Sequence, residues 1–412
     1  MKKSILFTLI AGFAGLTACD SSDDLAKGNL PKAEKIELRL SEKIKTDNSF
    51  AIDLFKTTYA LENETNIFVS PLSVSMALNM TLNGAVNETA DEMLIALRAK
   101  GYTIEQINEY SKTLREALEN VDPSTQLTIA NSIWYKNDFT VKNDFIKTNQ
   151  DYYNAEVTPL DFKSPEALTT INNWCAKQTK DKIKEILEEI PGDAVMYLIN
   201  AVYFKGIWLS QFDKKDTSTE TFYLPDGQTT QVDMMHQVTD FNYHQDDNCQ
   251  YLELPYGNDA FSMILMLPNE GKTMDETIEA LDNESWSLIT ENMYGEKINI
   301  CLPRFKAECK YQLAEEVLPE MGMKIPLSSD ADFSGISESS LNISEVIHKT
   351  FIEVNEEGTE AAAVTSVGMM ESAGPGEPQI IDYIVNKPFL FAIRENSTGV
   401  ILFIGKIGKI QK

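Results

Sequence analysis

The chain has 412 residues, with 63 acidic against 36 basic side chains and a formal net charge of −27. This length suits about two or three average domains or one large domain, and a hydrophobic fraction of 43% provides a sizeable core and excludes wholesale disorder. The acidic excess argues against a nucleic-acid binder, which needs Lys and Arg to displace phosphate counterions. It also argues against docking on anionic lipid through a basic patch.

The N-terminus has the pattern of an export signal. Lys2 and Lys3 precede an apolar run over residues 5–16, which has signal-peptide length and is too short to span a bilayer comfortably. The run ends in Leu-Thr-Ala-Cys at residues 16–19, which resembles the lipobox of bacterial lipoproteins. The resemblance implies a signal peptide over residues 1–18, acylation of Cys19 and a membrane anchor made of several acyl chains. A plain secretory signal with a chance cysteine is the alternative.

The polar residues 19–44 are interpreted as a lipidated tether that merges into a first helix. Residues 45–412 contain no long linker, low-complexity tract or internal repeat and are assigned to one domain. We therefore expect an exported lipoprotein at the outer membrane, on its periplasmic or cell-surface face.

Helical spacing dominates the chain up to Leu187, with apolar residues at helical intervals over 50–55, 76–82 and 114–118. Strand-like runs cover residues 126–135, 197–204, 261–267, 297–300, 351–354 and 389–404. Helices followed by strands without regular βα alternation predict an α+β fold.

The sequence contains no recognisable catalytic constellation. It lacks the zinc-protease, nucleophile-elbow, Walker and dinucleotide-binding glycine patterns, so we expect neither an enzyme nor a cofactor. We predict that His236 and His244 lie in a solvent-facing loop, with a metal site as the less favoured alternative. His348 is expected where a strand begins.

The five cysteines contain no C-x-x-C pair, which argues against a zinc site or a thioredoxin-like motif. Apart from Cys19 they are most simply interpreted as buried free thiols. Cys301 and Cys309 are close enough to form a disulfide in an oxidising compartment, and the sequence leaves that pairing open.

Several segments of the mature chain resemble a single family, in order and with family-like spacing. They are found at residues 66–78, 171–174, 198–208, 302–306, 322–323, 332–336, 348–350, 355–363 and 386–389. Over about residues 45–410 the set resembles the serpin family of serine-protease inhibitors. The resemblance implies a serpin fold with three β-sheets, about nine helices and an exposed reactive-centre loop.

Serpin membership implies inhibition by trapping. A target endopeptidase attacks the exposed loop and forms an acyl-enzyme, and the cleaved loop then enters the central sheet as a new strand before the bond is hydrolysed. The chain is therefore expected to be a monomeric suicide substrate that captures its target covalently.

The resemblance places the hinge of the loop at Glu356, Gly358, Thr359, Glu360, Ala361, Ala362 and Ala363. Because side chains alternate along a strand, the inward set of an inserted loop is Thr359, Ala361, Ala363, Thr365 and Val367. All of these are small or medium and uncharged, whereas Glu360 faces the other side, where a carboxylate stays solvated. An inward charge would be buried unpaired, and no Pro interrupts residues 358–373. This pattern favours an inhibitory hinge over an Ala-rich surface turn.

Other family positions match one at a time. The shutter, a polar cluster beneath the opening of the sheet where hydrogen bonds can change partners, corresponds to Ser70, Pro71, Ser73, Asn200 and His348. The breach, where insertion begins, corresponds to Trp208. Satisfied buried polar residues and a core aromatic are the plain alternatives.

The loop departs from the family by being several residues longer between Gly358 and Asn386, with a turn-prone stretch at residues 374–378. Counting from Gly358 with the spacing usual in the family puts the scissile bond at Ser372-Ala373. A shift of one to three residues in that count moves the bond to Met369–Glu371. The reactive-centre window is therefore Val367, Met369, Met370, Glu371, Ser372 and Ala373. The two methionines would fill an apolar protease pocket best, although the family spacing does not place them at the scissile bond. The position of that bond within the window is therefore left open.

No Lys or Arg occurs between Gly358 and Asn386, so trypsin-like proteases, whose pocket holds a carboxylate, are expected to be poor targets. We expect elastase-, chymotrypsin- or subtilisin-like targets, and papain-like cysteine proteases as a further class. No heparin site is expected, because glutamates balance Lys112 and Arg115 on the helix near residues 104–118. A non-inhibitory serpin and a surface binding lipoprotein are the alternatives.

Overall fold

The computed structural model describes residues 32–359 and 380–410. Cys19 and the predicted signal and tether up to residue 31 lie outside this range. The hinge residues Glu360, Ala361, Ala362 and Ala363 and the whole reactive-centre window also lie outside it.

Nine α-helices are described, six of them in the first half of the chain. They are α1 (Lys43–Leu61), α2 (Pro71–Leu82), α3 (Asn87–Ala96), α4 (Ile104–Asn120), α5 (Asn143–Tyr153), α6 (Pro165–Gln178), α7 (Met274–Ala280), α8 (Asn283–Glu291) and α9 (Val317–Glu320). Local capping explains where several begin. The Ser70 hydroxyl accepts the Ser73 N–H at the start of α2, with Pro71 in its first turn.

The described strands form two hydrogen-bonded sheets. The strands are β1 (Ile67–Val69), β2 (Gln126–Lys136), β3 (Glu156–Leu160), β4 (Met196–Ile207), β5 (Ser218–Tyr223), β6 (Thr229–Gln245), β7 (Cys249–Tyr256), β8 (Phe261–Pro268), β9 (Tyr294–Pro303), β10 (Phe305–Gln312), β11 (Ile347–Asn355), β12 (Gly358–Thr359), β13 (Ile381–Ile384), β14 (Phe389–Glu395) and β15 (Ile401–Ile407). A nine-stranded sheet has the order β1-β15-β14-β8-β7-β6-β9-β13, with β5 beside β6. A six-stranded sheet has the order β10-β11-β12-β4-β2-β3.

The expected α+β class is confirmed, with two differences in the strands. Two of the three expected sheets are joined into one, because the long strand β6 pairs with β5 along one half and with β9 and β7 along the other. The apolar run over residues 389–404 is a hairpin of β14 and β15 rather than one strand. Gly399, with φ of +77°, lies in its turn.

The loop prediction for His236 and His244 is wrong, since both lie within β6. One side of β6 is partly open to solvent, and its frequent polar residues resemble a loop in the sequence. His348 lies near the start of β11, as predicted.

Within residues 32–359 and 380–410, two apolar cores hold the sheets in place. The larger packs α1 and α2 against the nine-stranded sheet and the inner side of the six-stranded sheet. The smaller lies between α6 and the outer side of β2 and β4 and is centred on Trp134, Trp174, Ile171 and Ile199. The six-stranded sheet is thus covered on both sides over part of its length.

The four described cysteines (Cys175, Cys249, Cys301 and Cys309) are free and buried, so Cys301 and Cys309 are not paired. No helix within residues 32–359 and 380–410 combines the length and apolar character needed to cross a bilayer.

Candidate functional site: a slot in the central sheet

The six-stranded sheet contains a two-residue strand wedged between two long ones. β12 runs antiparallel to both neighbours, with Thr359 opposite Val354 and Gly206, and Gly358 opposite Asn355 and Ile207. Among the described residues, β4 and β11 share no ladder of their own. We call the space between β4 and β11, beyond Thr359, the slot, and the end that holds β12 its top.

The slot widens away from β12. A gap of about 20 Å³ borders Thr359, between the middle parts of β4 and β11. At the lower end a cavity of about 630 Å³ is lined by Met196–Asn200 of β4, Ile347 and His348 of β11, and residues of α2. The sheet is therefore closed at the top, narrow in the middle and open at the bottom.

Gly358 and Thr359 fit closely into the top of the slot. A Cβ on Gly358, whose φ is +150°, would lie 2.1 Å from the carbonyl oxygen of Gly206, so the two backbones need a glycine to meet. Thr359 is only 3% exposed, and its hydroxyl shares a 2.6 Å hydrogen bond with the hydroxyl of Tyr256. A small uncharged residue is what this position accommodates.

Trp208, the predicted breach residue, connects the parts that surround β12. Its indole stacks on Tyr256 with ring centres 4.4 Å apart, and its Nε1–H donates to the Asn355 carbonyl at 2.9 Å. Its backbone N–H donates to the Glu357 carbonyl at 2.9 Å. Trp208 is therefore a core aromatic that also holds the turn between β11 and β12.

An ion pair between half-exposed Arg304 and the buried carboxylate of Glu356 secures the same turn. Glu356 is 1% exposed, and its two carboxylate oxygens share the Arg304 Nε–H at 2.8 and 3.0 Å. The carboxylate also accepts from Arg304 Nη2 and from the Thr217 hydroxyl. Burial opposes the charge on Glu356, but the hydrogen bonds from Arg304 and Thr217 outweigh it and lower the pKa of this carboxyl. The next residue, Glu357, forms an ion pair with Lys214.

Three of the predicted shutter residues, Ser73, Asn200 and His348, line the lower cavity of the slot. On the β11 side, His348 Nε2 accepts the Ser70 N–H at 2.9 Å, and the Ser70 hydroxyl donates to the Leu402 carbonyl at 2.9 Å. Burial lowers the pKa of His348 to about 3, so the ring is neutral and its Nε2 is free to accept. Pro71 and Ser73 belong to the first turn of α2, beside this group.

Asn200 lies on the β4 side of the slot. Its Nδ2 donates to Asn131 Oδ1 at 2.8 Å. Its own Oδ1 is buried, and within the described part of the chain it has no hydrogen-bond partner. Asn200 and His348 both line the lower cavity.

Comparisons with known proteins agree with this architecture. The family profile described as serpin (serine protease inhibitor) matches residues 45–410. The native state of the thermophilic serpin tengpin superposes with a TM-score of 0.83 at 35% identity, covering 92% of this chain and 98% of tengpin. The chain belongs to the serpin family. The expected serpin fold is thereby confirmed, and serpins are in general protease inhibitors rather than enzymes.

Other relatives show the range of the family. The leukocyte elastase inhibitor of Xenopus laevis is 37% identical over 87% of this serpin and 96% of its own length. A serpin-like protein of Thermococcus kodakarensis is 36% identical, over 87% and 84% of the two chains. Human thyroxine-binding globulin, solved in complex with its hormone, has a TM-score of 0.81 at 27% identity, covering 90% of this chain and all of the other.

Sequence reasoning missed the partners that hold the predicted residues. Arg304 falls in a segment that resembles the family, but nothing nearby in the sequence indicates its pairing with Glu356. Thr217, Tyr256 and Asn131 carry no local signal, because each acts through a residue more than 60 positions away.

The sequence predicted neither a metal site nor a heparin site. Within the described ranges, no group of three or more His, Cys, Asp or Glu side chains could hold a metal ion. On α4, Arg115 is largely buried and paired with Glu116 and Glu119. Lys112 shares that helix with Glu105 and Glu109.

Proposed function

We propose that this serpin is a suicide-substrate inhibitor that traps an acyl-enzyme by inserting its cleaved loop into the slot. The observation that carries the proposal is β12. The chain leading into the loop already pairs with both β4 and β11, and these strands enclose open space further down. Insertion would extend a ladder that has already begun.

Continuing the β12 register predicts where each inserted residue would lie. Ala361 would pair with Ile352 and Phe204, and Ala363 with Thr350, all on the buried side of their strands. A charged side chain at either alanine would be buried without a partner. Glu360 would lie on the opposite side, next to half-buried positions where its carboxylate can stay near water. The alternation predicted from the sequence fits the slot.

The same register would bring Thr365 between His348 and Asn200. The threonine hydroxyl could then donate to Asn200 Oδ1, the buried acceptor that lacks a partner in the described structure. Satisfying a buried acceptor is worth about 1–3 kcal/mol. The shutter would thus gain a hydrogen bond as the strand enters, which supports insertion to at least this depth.

The proposed targets are endopeptidases with apolar specificity pockets, of the elastase, chymotrypsin or subtilisin type, with papain-like cysteine proteases as a further class. The sequence from Gly358 to Asn386 supplies methionine, valine, serine and alanine but no Lys or Arg. A trypsin-like pocket would keep its carboxylate buried and unpaired against such a loop. One relative bears the name leukocyte elastase inhibitor, which agrees with this class.

A non-inhibitory binding serpin is the second candidate, supported by the structural likeness to thyroxine-binding globulin. Two observations favour inhibition. The hinge from Gly358 to Ala363 contains no Pro and no bulky apolar residue, and its one charged side chain, Glu360, falls on the outward side of the predicted alternation. The slot is also open at its lower end.

The experiment compares hinge variants against a panel of proteases. We expect SDS-stable complexes of the unmodified serpin with elastase-, chymotrypsin- or subtilisin-type enzymes and little or none with trypsin. In Thr359→Arg and Ala361→Arg the complex should fall at least about tenfold and cleaved serpin should rise, because a guanidinium must be buried unpaired for insertion to proceed.

Glu360→Arg is the matched control, since it places the same side chain on the outward side. It should keep its complex yield. Undiminished complexes in both inward variants would refute the hinge assignment, and rapid stoichiometric inhibition of trypsin would refute the target class. Mass analysis of the released C-terminal peptide would identify the scissile bond within the window.

We further propose that the mature serpin is anchored to the outer membrane through acylated Cys19. The lipobox-like residues 16–19 after an apolar signal support this placement. An inhibitor tethered there would defend the cell envelope against proteases that reach it.

A further inference from the structure

A chain of three polar side chains lies on the solvent-facing side of the nine-stranded sheet, away from the slot. His236 of β6 is directly opposite Cys301 of β9, and its Nδ1 lies 3.2 Å from the cysteine Sγ. On the other side of the ring, Nε2 lies 2.6 Å from Oε1 of Glu220, on β5. The Ser218 hydroxyl donates to the same Oε1 at 2.9 Å.

The hydrogen bonds determine the roles of the two ring nitrogens. An ionised carboxylate can only accept, so the contact with Glu220 requires the proton on Nε2. In the neutral ring, Nδ1 is then the unprotonated nitrogen and can accept from the Cys301 thiol. A base that is held by a carboxylate and points at a nucleophile is the arrangement that activates thiols and hydroxyls in enzymes.

We propose that Glu220, His236 and Cys301 form a thiol-activating relay, which makes Cys301 a site of thiol–disulfide exchange with small uncharged disulfides. The Cys301 sulfur attacks one sulfur of the disulfide while His236 Nδ1 takes its proton. A new S–S bond forms, the disulfide S–S bond breaks, and the leaving thiolate receives that proton. Glu220 is a positioning residue that fixes the ring and its tautomer.

The surroundings of Cys301 determine its protonation state before any reaction. Burial and the carboxylates of Glu220 and Asp382 raise the pKa of Cys301 to about 11, so the sulfur is a thiol near neutral pH. The relay therefore acts during the attack, as a general base, and not by keeping a thiolate in advance. The two carboxylates also repel anionic reagents, which is why the proposed partner is uncharged.

The exposed fraction of Cys301 is small but comparable with that of another cysteine in the same chain. Cys301 is 6% exposed, between half-buried His236 and the exposed Ile384 on the neighbouring strand β13. Cys309 is 9% exposed, and its thiol donates to the Asn66 carbonyl at 3.6 Å. A backbone carbonyl is not a base, so it cannot take the proton of the thiol as His236 could. Cys309 is thus an internal control with similar exposure.

The test follows modification of the folded full-length protein by dithiodipyridine, an uncharged aromatic disulfide, with each labelled cysteine located by peptide mass analysis. General-base assistance contributes about 10²–10⁴-fold, so Cys301 should react at least about tenfold faster than Cys309. His236→Asn should lower the Cys301 rate at least about tenfold and leave the Cys309 rate unchanged, and Glu220→Gln should have a smaller effect of the same kind.

His244→Asn is the matched control, because His244 lies on the same strand but stacks on Tyr251. It should leave both rates unchanged. Equal rates for Cys301 and Cys309 in the unmodified protein would overturn the proposal without reference to any variant. So would an unchanged or faster Cys301 reaction in a folded His236→Asn protein, since that result assigns the pair a structural role only.

Discussion

At the scale of single residues, the slot is bordered by groups whose protonation and hydrogen bonds are set by burial. His348 is 4% exposed and neutral, and it accepts a backbone N–H that a protonated ring could not accept. Asn200, across the slot, keeps an acceptor without a partner in the described structure. Both residues are suited to a change of partners when another strand arrives.

The first prediction concerns the pH dependence contributed by His348. Its folded pKa of about 3 lies below the ordinary value of 6.5, so between these limits the unfolded chain binds more protons and stability falls as the pH falls. Between pH 7 and pH 5 the native protein should lose about 2 kcal/mol from this residue alone. The measurement is the free energy of unfolding in urea, for the unmodified protein and for His348→Gln, at both pH values. The difference between the two proteins at pH 7 minus the difference at pH 5 is the contribution of His348.

His244→Gln is the control for that measurement, because His244 lies outside the shutter on β6. The part of the pH-dependent change that His348→Gln shows and His244→Gln does not is the contribution of His348. An equal change in the two variants would contradict the assignment of a neutral buried ring at His348.

At the scale of elements, the decisive feature is a two-residue strand between two long ones that lack a ladder of their own within the described residues. β4 has 12 residues, which span about 40 Å at about 3.3 Å per residue. β12 uses only the top of that length. Residues following Thr359 could therefore add hydrogen bonds to both sides of the slot and bury their inward side chains.

Cleavage within the loop should for this reason raise the thermal stability. Each added ladder bond is worth about 1 kcal/mol, so about ten of them should raise the melting temperature by at least roughly 10 °C. The comparison is a melting curve before and after nicking by a protease that forms no stable complex. Nicked Glu360→Arg should show the full rise, whereas nicked Ala361→Arg should show little. A midpoint that stays the same after nicking would mean that the loop does not insert.

At the scale of the whole molecule, the net charge bears on the proposed membrane anchor. A net charge of −27 disfavours contact with anionic lipid headgroups, so the proposed acyl chains on Cys19 would have to supply the attachment without help from charge.

Membrane attachment should accordingly depend on one residue. Wild-type protein expressed with its own N-terminus in a bacterium should sediment with the outer membrane and enter the detergent phase. Cys19→Ala should move to the soluble exported fraction, and Ser21→Ala, its neighbour, should behave like the wild type. Persistence of Cys19→Ala in the membrane would exclude acylation as the anchor.

The sequence by itself determined whatever depends on neighbouring residues. Periodicity indicated the α+β class, and the alternation after Gly358 indicated the inward and outward sides of an inserting strand. The family motifs added the shutter and breach positions, which lie along the slot and at its top. Periodicity and alternation can be seen in the sequence because each depends only on residues a few positions apart.

Only the tertiary structure decided which distant residues meet. Ser70 and His348 are 278 positions apart, and Arg304 and Glu356 are 52 apart, yet each pair is hydrogen-bonded. The loop prediction for His236 failed for the same reason, since its place beside Cys301 comes from the pairing of β6 with β9. Strand pairing is chosen by the burial of whole sheet faces, and a short window of sequence does not contain that information.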